Sequence, residues 1–190
     1  MSPAPFIVLL AAASVTADRP PTPAGKSNRS PTVAVNGMVA TSHPLAAQVG
    51  LDILKSGGNA VDAAIATSAA MGLMEPTSCG IGGDLFAIVW DAKSQKLYGL
   101  NACGRSPKRA TLDHFATLGL TEIPNKGPLS WSVPGCVDGW NELRQRFGTR
   151  PFADLLAPSI RYAGQGVPVP EVIAGYWRAS ARLLDRKSVV

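Results

Sequence analysis

The pattern of apolar and polar positions predicts that the folded part of the chain begins with a strand. In residues 32–41, Val33, Val35 and Val39 alternate with small or polar residues, which is typical of a strand with one buried face. Pro44, just beyond this run, suits the first turn of a helix because that turn needs no backbone N–H from it. The pattern therefore predicts a strand followed by a helix.

The helix that begins at Pro44 has a clear apolar stripe and a clear end. Leu45, Val49 and Ile53 recur at helical spacing and would face the core together. Gly57 then supplies a C-terminal stop, since glycine readily adopts the backbone conformation that ends a helix.

A second helix follows at once with its own start and stop signals. Asn59 can cap it, Asp62 places a negative charge in its first turn, and Pro76 ends it. The small side chains allow close approach to neighbouring elements, which predicts an interior position. They are Ala60, Ala63, Ala64, Ala66, Ala69 and Ala70.

The remainder of the chain predicts one hairpin and several more helices. Residues 85–90 and 97–100 are β-rich apolar runs joined by a short turn, which is the pattern of a β-hairpin. Entry residues followed by apolar stripes predict helices over residues 111–118, 134–147, 151–164 and 170–184. No internal repeat is present.

Composition excludes several classes of protein. With 190 residues, 46% of them hydrophobic and 16% charged, the chain resembles one ordinary domain and not a disordered protein. The net charge of +5 is scattered, and an aromatic content of 6% does not suit a nucleic-acid interface. The longest weakly polar stretch, residues 60–74, contains Asp62 and is shorter than the roughly 18 apolar residues that cross a bilayer. We therefore predict no nucleic-acid partner and no membrane span.

Residues 1–31 differ from the rest and are treated as a separate segment. Residues 6–15 form a short apolar run and Ala17 offers a small residue for signal-peptide cleavage, but no basic residues precede the run. Residues 18–31 are rich in proline and predict an extended tether. A signal peptide would make the protein secreted or periplasmic. A disordered leader or a misplaced start would leave it cytoplasmic.

The cysteines and histidines do not form a metal-ligand pattern. Cys79, Cys103 and Cys136 are widely spaced without a CxxC pair, and His43 and His114 lie far from any ligand spacing. Neither a zinc site nor a disulfide framework is predicted. The cysteines are interpreted as small apolar residues, and His43 as a helix-start residue.

The glycine-rich residues 80–84 could cradle a phosphate with their backbone amides. A dinucleotide loop, however, follows a strand and opens a helix, whereas this one follows a predicted helix and opens a predicted strand. We therefore favour a tight backbone passage into a buried strand.

The acidic residues Glu75, Asp84 and Asp91 could act as acid and base, but nothing in the sequence brings them together. The simpler interpretation is that Glu75 ends a helix, Asp84 lies in a turn and Asp91 lies in the hairpin.

Arg105 lies in a different setting. Residues 101–107 form a glycine- and proline-bounded loop at the end of a predicted strand, where ligand contacts often gather. A planar guanidinium there can bind a carboxylate with two parallel hydrogen bonds. The alternative is a solvated surface arginine, which the spacing alone favours.

Several segments taken together resemble a known family, the N-terminal part of the large subunit of γ-glutamyltranspeptidases. The resemblance covers about residues 36–176, and the segments occur in the family's order, which is more specific than any one of them. They are GMVATSHPLA (37–46), GGNAVDAA (57–64), GIGGD (80–84), PGCVDGW (134–140) and APSIRYA (157–163).

The resemblance implies an α+β fold, here a part of the αββα sandwich of N-terminal nucleophile hydrolases. Family members are made as one precursor that cuts itself and exposes a threonine at the start of a small subunit. That threonine attacks the γ-glutamyl amide, and the acyl group passes to water, an amino acid or a peptide. The implied partners are a γ-glutamyl or related acyl-amide substrate and the small subunit of the same precursor. No metal or organic cofactor is implied.

The chain departs from the family in two respects. It contains no Thr-Thr-His run of the kind that marks the nucleophile, so no catalytic residue is assigned and residues 1–190 alone are predicted to be inactive. The family's usual loop has an arginine four residues before proline, where this chain has Cys103, while Arg105 lies two residues before Pro107. The Gly-Arg-Ser-Pro form of this loop, residues 104–107, resembles the transpeptidase-like branch that includes cephalosporin acylase-like members. Arg105 is the one residue assigned to substrate binding.

Two functions remain open at this point. Residues 32–190 are the front of the large subunit of a γ-glutamyltransferase or glutathione hydrolase precursor, or they are a self-standing, non-catalytic binding or interaction protein derived from the same fold. A Thr-Thr-His region in the continuous reading frame would favour the enzyme. A stop codon after Val190 would favour the binding protein.

Overall fold

Most of the predicted elements are present, with boundaries within about two residues of the prediction. The structure, a computed structural model, describes residues 6–11, 32–125 and 127–184. In chain order the elements are β1 (Phe6–Ala11), α1 (Pro44–Lys55), α2 (Ala60–Met74), β2 (Phe86–Asp91), β3 (Lys96–Asn101), α3 (Leu112–Thr117), a 3-10 turn (Pro128–Ser130), α4 (Cys136–Phe147), α5 (Phe152–Gln165) and α6 (Glu171–Leu184). The predicted hairpin and the predicted helices are therefore confirmed.

The prediction of a strand over residues 32–41 is wrong. This segment has no regular secondary structure, and Val35 is 99% exposed. A strand needs a partner for its backbone groups, and the edge of β2 is instead paired with β1. Only Val39 of the alternating valines packs against the core, where it approaches Gly50 of α1.

Among the described residues, the sheet contains three antiparallel strands with β2 in the centre. β1 pairs with the whole of β2, from Phe6 opposite Asp91 to Ala11 opposite Phe86. The first part of the apolar run at residues 6–15 thus forms an edge strand, from Phe6 to Ala11. The rest of that run and the proline-rich tether, residues 12–31, lie outside the described residues.

The helix α2 begins with a complete capping box. The Asn59 side chain accepts hydrogen bonds from the N–H groups of Val61 and Asp62, at 2.9 and 3.0 Å. The Asp62 carboxylate in turn accepts from the Asn59 N–H at 2.9 Å. This exchange satisfies donors that a helix start leaves unpaired, and it confirms the predicted cap.

The core forms around α2, which packs against α1, α4, α5 and β1. Helices cover one face of the sheet, where Ala87 and Val89 are buried. On the opposite face Ile88 is 49% exposed and Leu97 is 64% exposed. The sheet therefore has a buried face and an uncovered apolar face. In the described ranges no helix is long and apolar enough to cross a membrane.

Candidate substrate-binding site

Three segments that are far apart in sequence meet beside the end of the hairpin. They are the glycine-rich segment at residues 80–85, the Arg105 loop at residues 101–107, and residues 131–136, which lead into α4. Backbone hydrogen bonds join all three. We call their meeting point the junction.

The first set of bonds ties the glycine-rich segment to the other two. Leu85 and Ala102 exchange backbone hydrogen bonds of 3.1 and 2.8 Å, which extend the hairpin beyond β2 and β3. The Gly83 carbonyl accepts from the N–H groups of Gly135 and Cys136, at 3.3 and 3.0 Å. The start of α4 is thereby fixed to the segment that enters β2.

The second set of bonds joins residues 131–136 to the Arg105 loop. The Val133 N–H donates to the Arg105 carbonyl at 2.8 Å, and the Ser132 hydroxyl donates to the Cys103 carbonyl at 3.4 Å. The backbone of Arg105 is therefore held in place although its side chain lies at the surface.

Arg105 occupies the predicted position, in a loop that leaves the end of a strand. Its side chain is exposed, and it makes no hydrogen bond or ion pair with any residue in the described part of the chain. A guanidinium on a fixed backbone with all its donors available can take a carboxylate in a two-bond arrangement. Trp131 and Val133, both exposed, add apolar surface to the same junction.

The glycine-rich segment is a turn into a strand, as predicted. It follows α2 and precedes β2, and the Gly83 N–H donates to the Gly80 carbonyl at 3.3 Å. The space above Gly80 and Gly82 is open, so the passage is not tight at these two positions. The order helix, loop, strand does not match a dinucleotide-binding loop.

Two thiols lie beside the glycine-rich segment. Burial raises the pKa of the Cys136 thiol to about 11, with smaller contributions from the Cys79 thiol once it ionises and from the Asp84 carboxylate. Burial, and then the charge of Glu75, raises the pKa of the Cys79 thiol. Both groups are therefore protonated near neutral pH, which suits packing and not nucleophilic attack.

The acidic candidates have the structural roles that were predicted. Glu75 caps the C-terminal end of α2, and Asp84 is exposed after the glycine turn. Asp91 accepts from the Ser94 hydroxyl at 2.6 Å and from the Lys93 N–H at 3.0 Å, within the hairpin turn. The hydrogen bond from Ser94 is the main reason that the pKa of Asp91 is lowered.

The histidines and cysteines form no cluster with the acids. No group of three or more metal-binding side chains is found within the described ranges, and the three cysteines are free there. His43 lies at the N-cap of α1, as predicted, with its ring buried and neither ring nitrogen hydrogen-bonded to a described residue. His114 is exposed in α3.

The contact between the Arg105 loop and residues 131–136 was not predicted from the sequence. Gly104, Ser132, Val133 and Gly135 make this contact, and none of them was assigned a role. The only indication of this contact in the sequence is a glycine directly before Arg105 and another directly after Pro134. Sequence alone could not show that the two glycines face each other.

Solved structures that resemble this chain include enzymes. Cephalosporin acylase from Bacillus halodurans superposes with a TM-score of 0.80 at 47% sequence identity, over 93% of this chain and 32% of that one. γ-Glutamyltranspeptidase from Helicobacter pylori gives 0.76 at 29% identity, over 84% of this chain and 46% of that one. The chain is therefore an α+β structure that forms part of an N-terminal nucleophile hydrolase sandwich.

The sequence comparisons give the family. A family model described as Gamma-glutamyltranspeptidase matches residues 46–189, and the chain belongs to this family. The glutathione hydrolase proenzyme of Bacillus subtilis strain 168 is 41% identical over 147 residues, which cover 75% of this chain and 25% of that protein. The chain thus spans about a quarter of the length of that relative.

Proposed function

We propose that this chain is the front part of a precursor that cleaves γ-glutamyl or related acyl amides and transfers the acyl group to water, an amino acid or a peptide. The observation that carries the proposal is the family match combined with a fixed, unpaired Arg105 at the junction. The related proenzymes support a partner subunit made from the same precursor.

The proposed reaction proceeds through a threonine acyl-enzyme. The threonine hydroxyl oxygen bonds to the amide carbonyl carbon, the C–N bond breaks, and the leaving amine takes up the hydroxyl proton through the threonine α-amino group. Water or an acceptor amine then reverses these steps and releases the acyl group. This chain contributes binding and not the nucleophile, because it contains no Thr-Thr-His run.

In this proposal Arg105 anchors a carboxylate of the acyl donor. Because Arg105 is exposed in the described chain, an ion pair there would be worth only about 0.2–1 kcal/mol. A desolvated, hydrogen-bonded pair is worth more, and losing one partner costs about 2–5 kcal/mol. The proposal therefore requires the remainder of the precursor to cover Arg105 and exclude water from it.

The position of Arg105 bears on the choice of donor. The residue two places earlier, where the family usually has its arginine, is Cys103, whose thiol lies 3.7 Å from the Gly104 carbonyl. A carboxylate held by Arg105 instead would be displaced along the loop. We expect the preferred acyl group to differ from γ-glutamyl in length or in its amino substituent, with glutaryl as the simplest candidate.

The test is the activity of the complete precursor. The reading frame that continues beyond Val190 should encode a Thr-Thr-His region, and its product should cut itself and hydrolyse γ-glutamyl or glutaryl p-nitroanilide. The 190-residue chain should show no turnover above a heat-denatured control. Turnover by the 190-residue chain, or a stop codon directly after Val190, would refute the proposal.

We also propose that the protein is secreted or periplasmic, on the basis of the apolar run at residues 6–15 and the small residue Ala17. The N-terminus of the protein purified from its native host should then begin after Ala17, so the exported chain would lack β1 and the edge of β2 that β1 covers would be open. An N-terminus at Met1 or Ser2 would contradict export through this run.

A further inference from the structure

Gly104 lies where its backbone crosses residues 131–136 at very short range. Its φ of +80° is in the left-handed region. A Cβ placed on Gly104 would lie 1.7 Å from the Val133 carbonyl oxygen and 2.9 Å from the carbonyl carbon. Both atoms belong to the backbone, so no side-chain movement could make room.

Gly135 meets the same crossing from the other side. Its φ of −111° is ordinary for any residue, so space alone requires glycine here. A Cβ on Gly135 would lie 2.3 Å from the Ala102 carbonyl oxygen and 2.5 Å from the Gly104 nitrogen. The two glycines therefore let two backbones pass closer than side chains would permit.

This crossing determines where Arg105 lies. Arg105 directly follows Gly104, and its carbonyl accepts the Val133 N–H at 2.8 Å only because the two backbones are in contact. Residues 131–136 are fixed in turn by the two hydrogen bonds to the Gly83 carbonyl. A wider crossing would move the Arg105 backbone relative to the glycine-rich segment and α4.

We propose that Gly104 and Gly135 are positioning residues, which place the Arg105 guanidinium at the distance and angle at which it binds the donor carboxylate. The inference rests on the proposed function of Arg105. A two-bond contact between a guanidinium and a carboxylate tolerates little displacement, and an error of about 1 Å in such a site can cost on the order of a hundredfold.

The test uses the self-processed precursor and a glutaryl or γ-glutamyl p-nitroanilide. Gly135→Ala should raise KM at least about tenfold with kcat changed less than about threefold, because the variant weakens donor binding and leaves the nucleophile untouched. Gly164→Ala is the matched control, since its Cβ would meet nothing within 4 Å in α5. The control should leave KM unchanged.

Gly104→Ala has a control of its own. Gly119 also has a left-handed φ, of +69°, but a Cβ there would meet nothing within 4 Å. Gly119→Ala introduces the same kind of backbone strain without a crossing. KM should rise for Gly104→Ala and not for Gly119→Ala.

A double variant separates positioning from a general loss of structure. If Gly135 acts through Arg105, Gly135→Ala should not raise KM further in an Arg105→Ala background. A further rise there, or an unchanged KM in the single variant, would overturn the positioning role. If Arg105→Ala alone leaves KM unchanged, the proposed function of Arg105 fails, and a rise with Gly135→Ala then shows that the crossing serves something other than Arg105.

Ser132→Ala keeps the test decisive if the glycine variants do not self-process. It removes only the hydroxyl that donates to the Cys103 carbonyl and leaves the crossing itself intact. A KM increase of about two- to fivefold, absent in the Arg105→Ala background, supports the positioning role. The same increase in both backgrounds contradicts it.

Discussion

At the scale of single residues, Asp62 serves the fold within a segment that resembles the enzyme family. Its carboxylate is fully buried and accepts hydrogen bonds from the Thr149 N–H at 3.0 Å and from the Thr149 hydroxyl at 2.5 Å. The N–H groups of Arg150 and Asn59 donate to it as well. One buried side chain thus joins the start of α2 to the connection between α4 and α5.

Replacing this carboxylate should destabilise the chain markedly. Asp62→Asn keeps the shape but exchanges an acceptor oxygen for an NH2 group, which would face backbone donors. We expect a loss of about 2–3 kcal/mol in the free energy of unfolding, measured with urea. Asp113→Asn, on the exposed surface of α3, is the control. Equal unfolding midpoints for the two variants would contradict this role of Asp62.

Cys136 provides a test of burial at the junction. Its pKa of about 11 lies above the ordinary 9.0, so at pH 8 the thiolate fraction falls from about 10% to about 0.1%. Alkylation by iodoacetamide, followed by mass spectrometry, should be on the order of a hundredfold slower than in the urea-unfolded chain. Its rate should keep rising with pH to about 11. A plateau near pH 9 in the folded chain would contradict the raised pKa.

At the scale of elements, sequence signals that act between neighbouring residues predicted the structure well, whereas contacts between distant segments were not predicted. The cap at Asn59 and the proline entry of α1 depend on neighbouring residues, and both are found where the sequence placed them. Residues 32–41 had the right alternation for a strand, but pairing depends on which distant segment takes the edge of β2. The meeting of Gly104 and Gly135 is non-local in the same way. The Arg105 loop could therefore be predicted from the sequence, but the contact with residues 131–136 that fixes its backbone could not.

The alanine-rich helix α2 should tolerate no added volume. Ala66 is fully buried in an element that contacts α1, α4, α5 and β1. Ala66→Leu should lower the free energy of unfolding by about 1–3 kcal/mol, because the added atoms force neighbouring backbones apart. Ala153→Leu, on the exposed side of α5, introduces the same change where space is available. If both variants unfold at the same urea concentration, α2 is not the packed centre described here.

At the scale of the whole molecule, the sheet has an uncovered apolar face. Ile88 and Leu97 project from it. In the sandwich of this fold class a second sheet faces the first, whereas the described residues form one three-stranded sheet. The 190-residue chain leaves this face of the sheet exposed, whereas the longer relatives have additional residues that could cover it.

We therefore expect the isolated 190-residue chain to bind a hydrophobic dye or to associate. Fluorescence of 8-anilinonaphthalene-1-sulfonate should increase with the native chain and fall when urea unfolds it. Leu97→Lys, at an exposed position of β3, should reduce both dye binding and association. A monomer with a sharp cooperative melt and no dye binding would contradict this account of the sheet face.

The central claim is that this chain supplies the carboxylate anchor of an acyl-amide-cleaving enzyme through Arg105. Arg105→Ala in the self-processed precursor should raise KM for a glutaryl or γ-glutamyl p-nitroanilide by roughly thirtyfold to several thousandfold, with self-cleavage intact. Arg105→Lys should recover only part of the loss, because an ammonium cannot form the two-bond contact. Arg109→Ala, a nearby exposed arginine, is the control.

The measurement that tests this claim most directly is the ratio of KM values for glutaryl and butyryl p-nitroanilide, in the parent enzyme and in Arg105→Ala. The two donors differ chiefly in the terminal carboxylate, so the ratio isolates its recognition. We predict that the parent enzyme prefers the glutaryl donor by at least about thirtyfold and that Arg105→Ala removes most of this preference. An unchanged preference in Arg105→Ala would show that Arg105 is a surface residue and that another group binds the carboxylate.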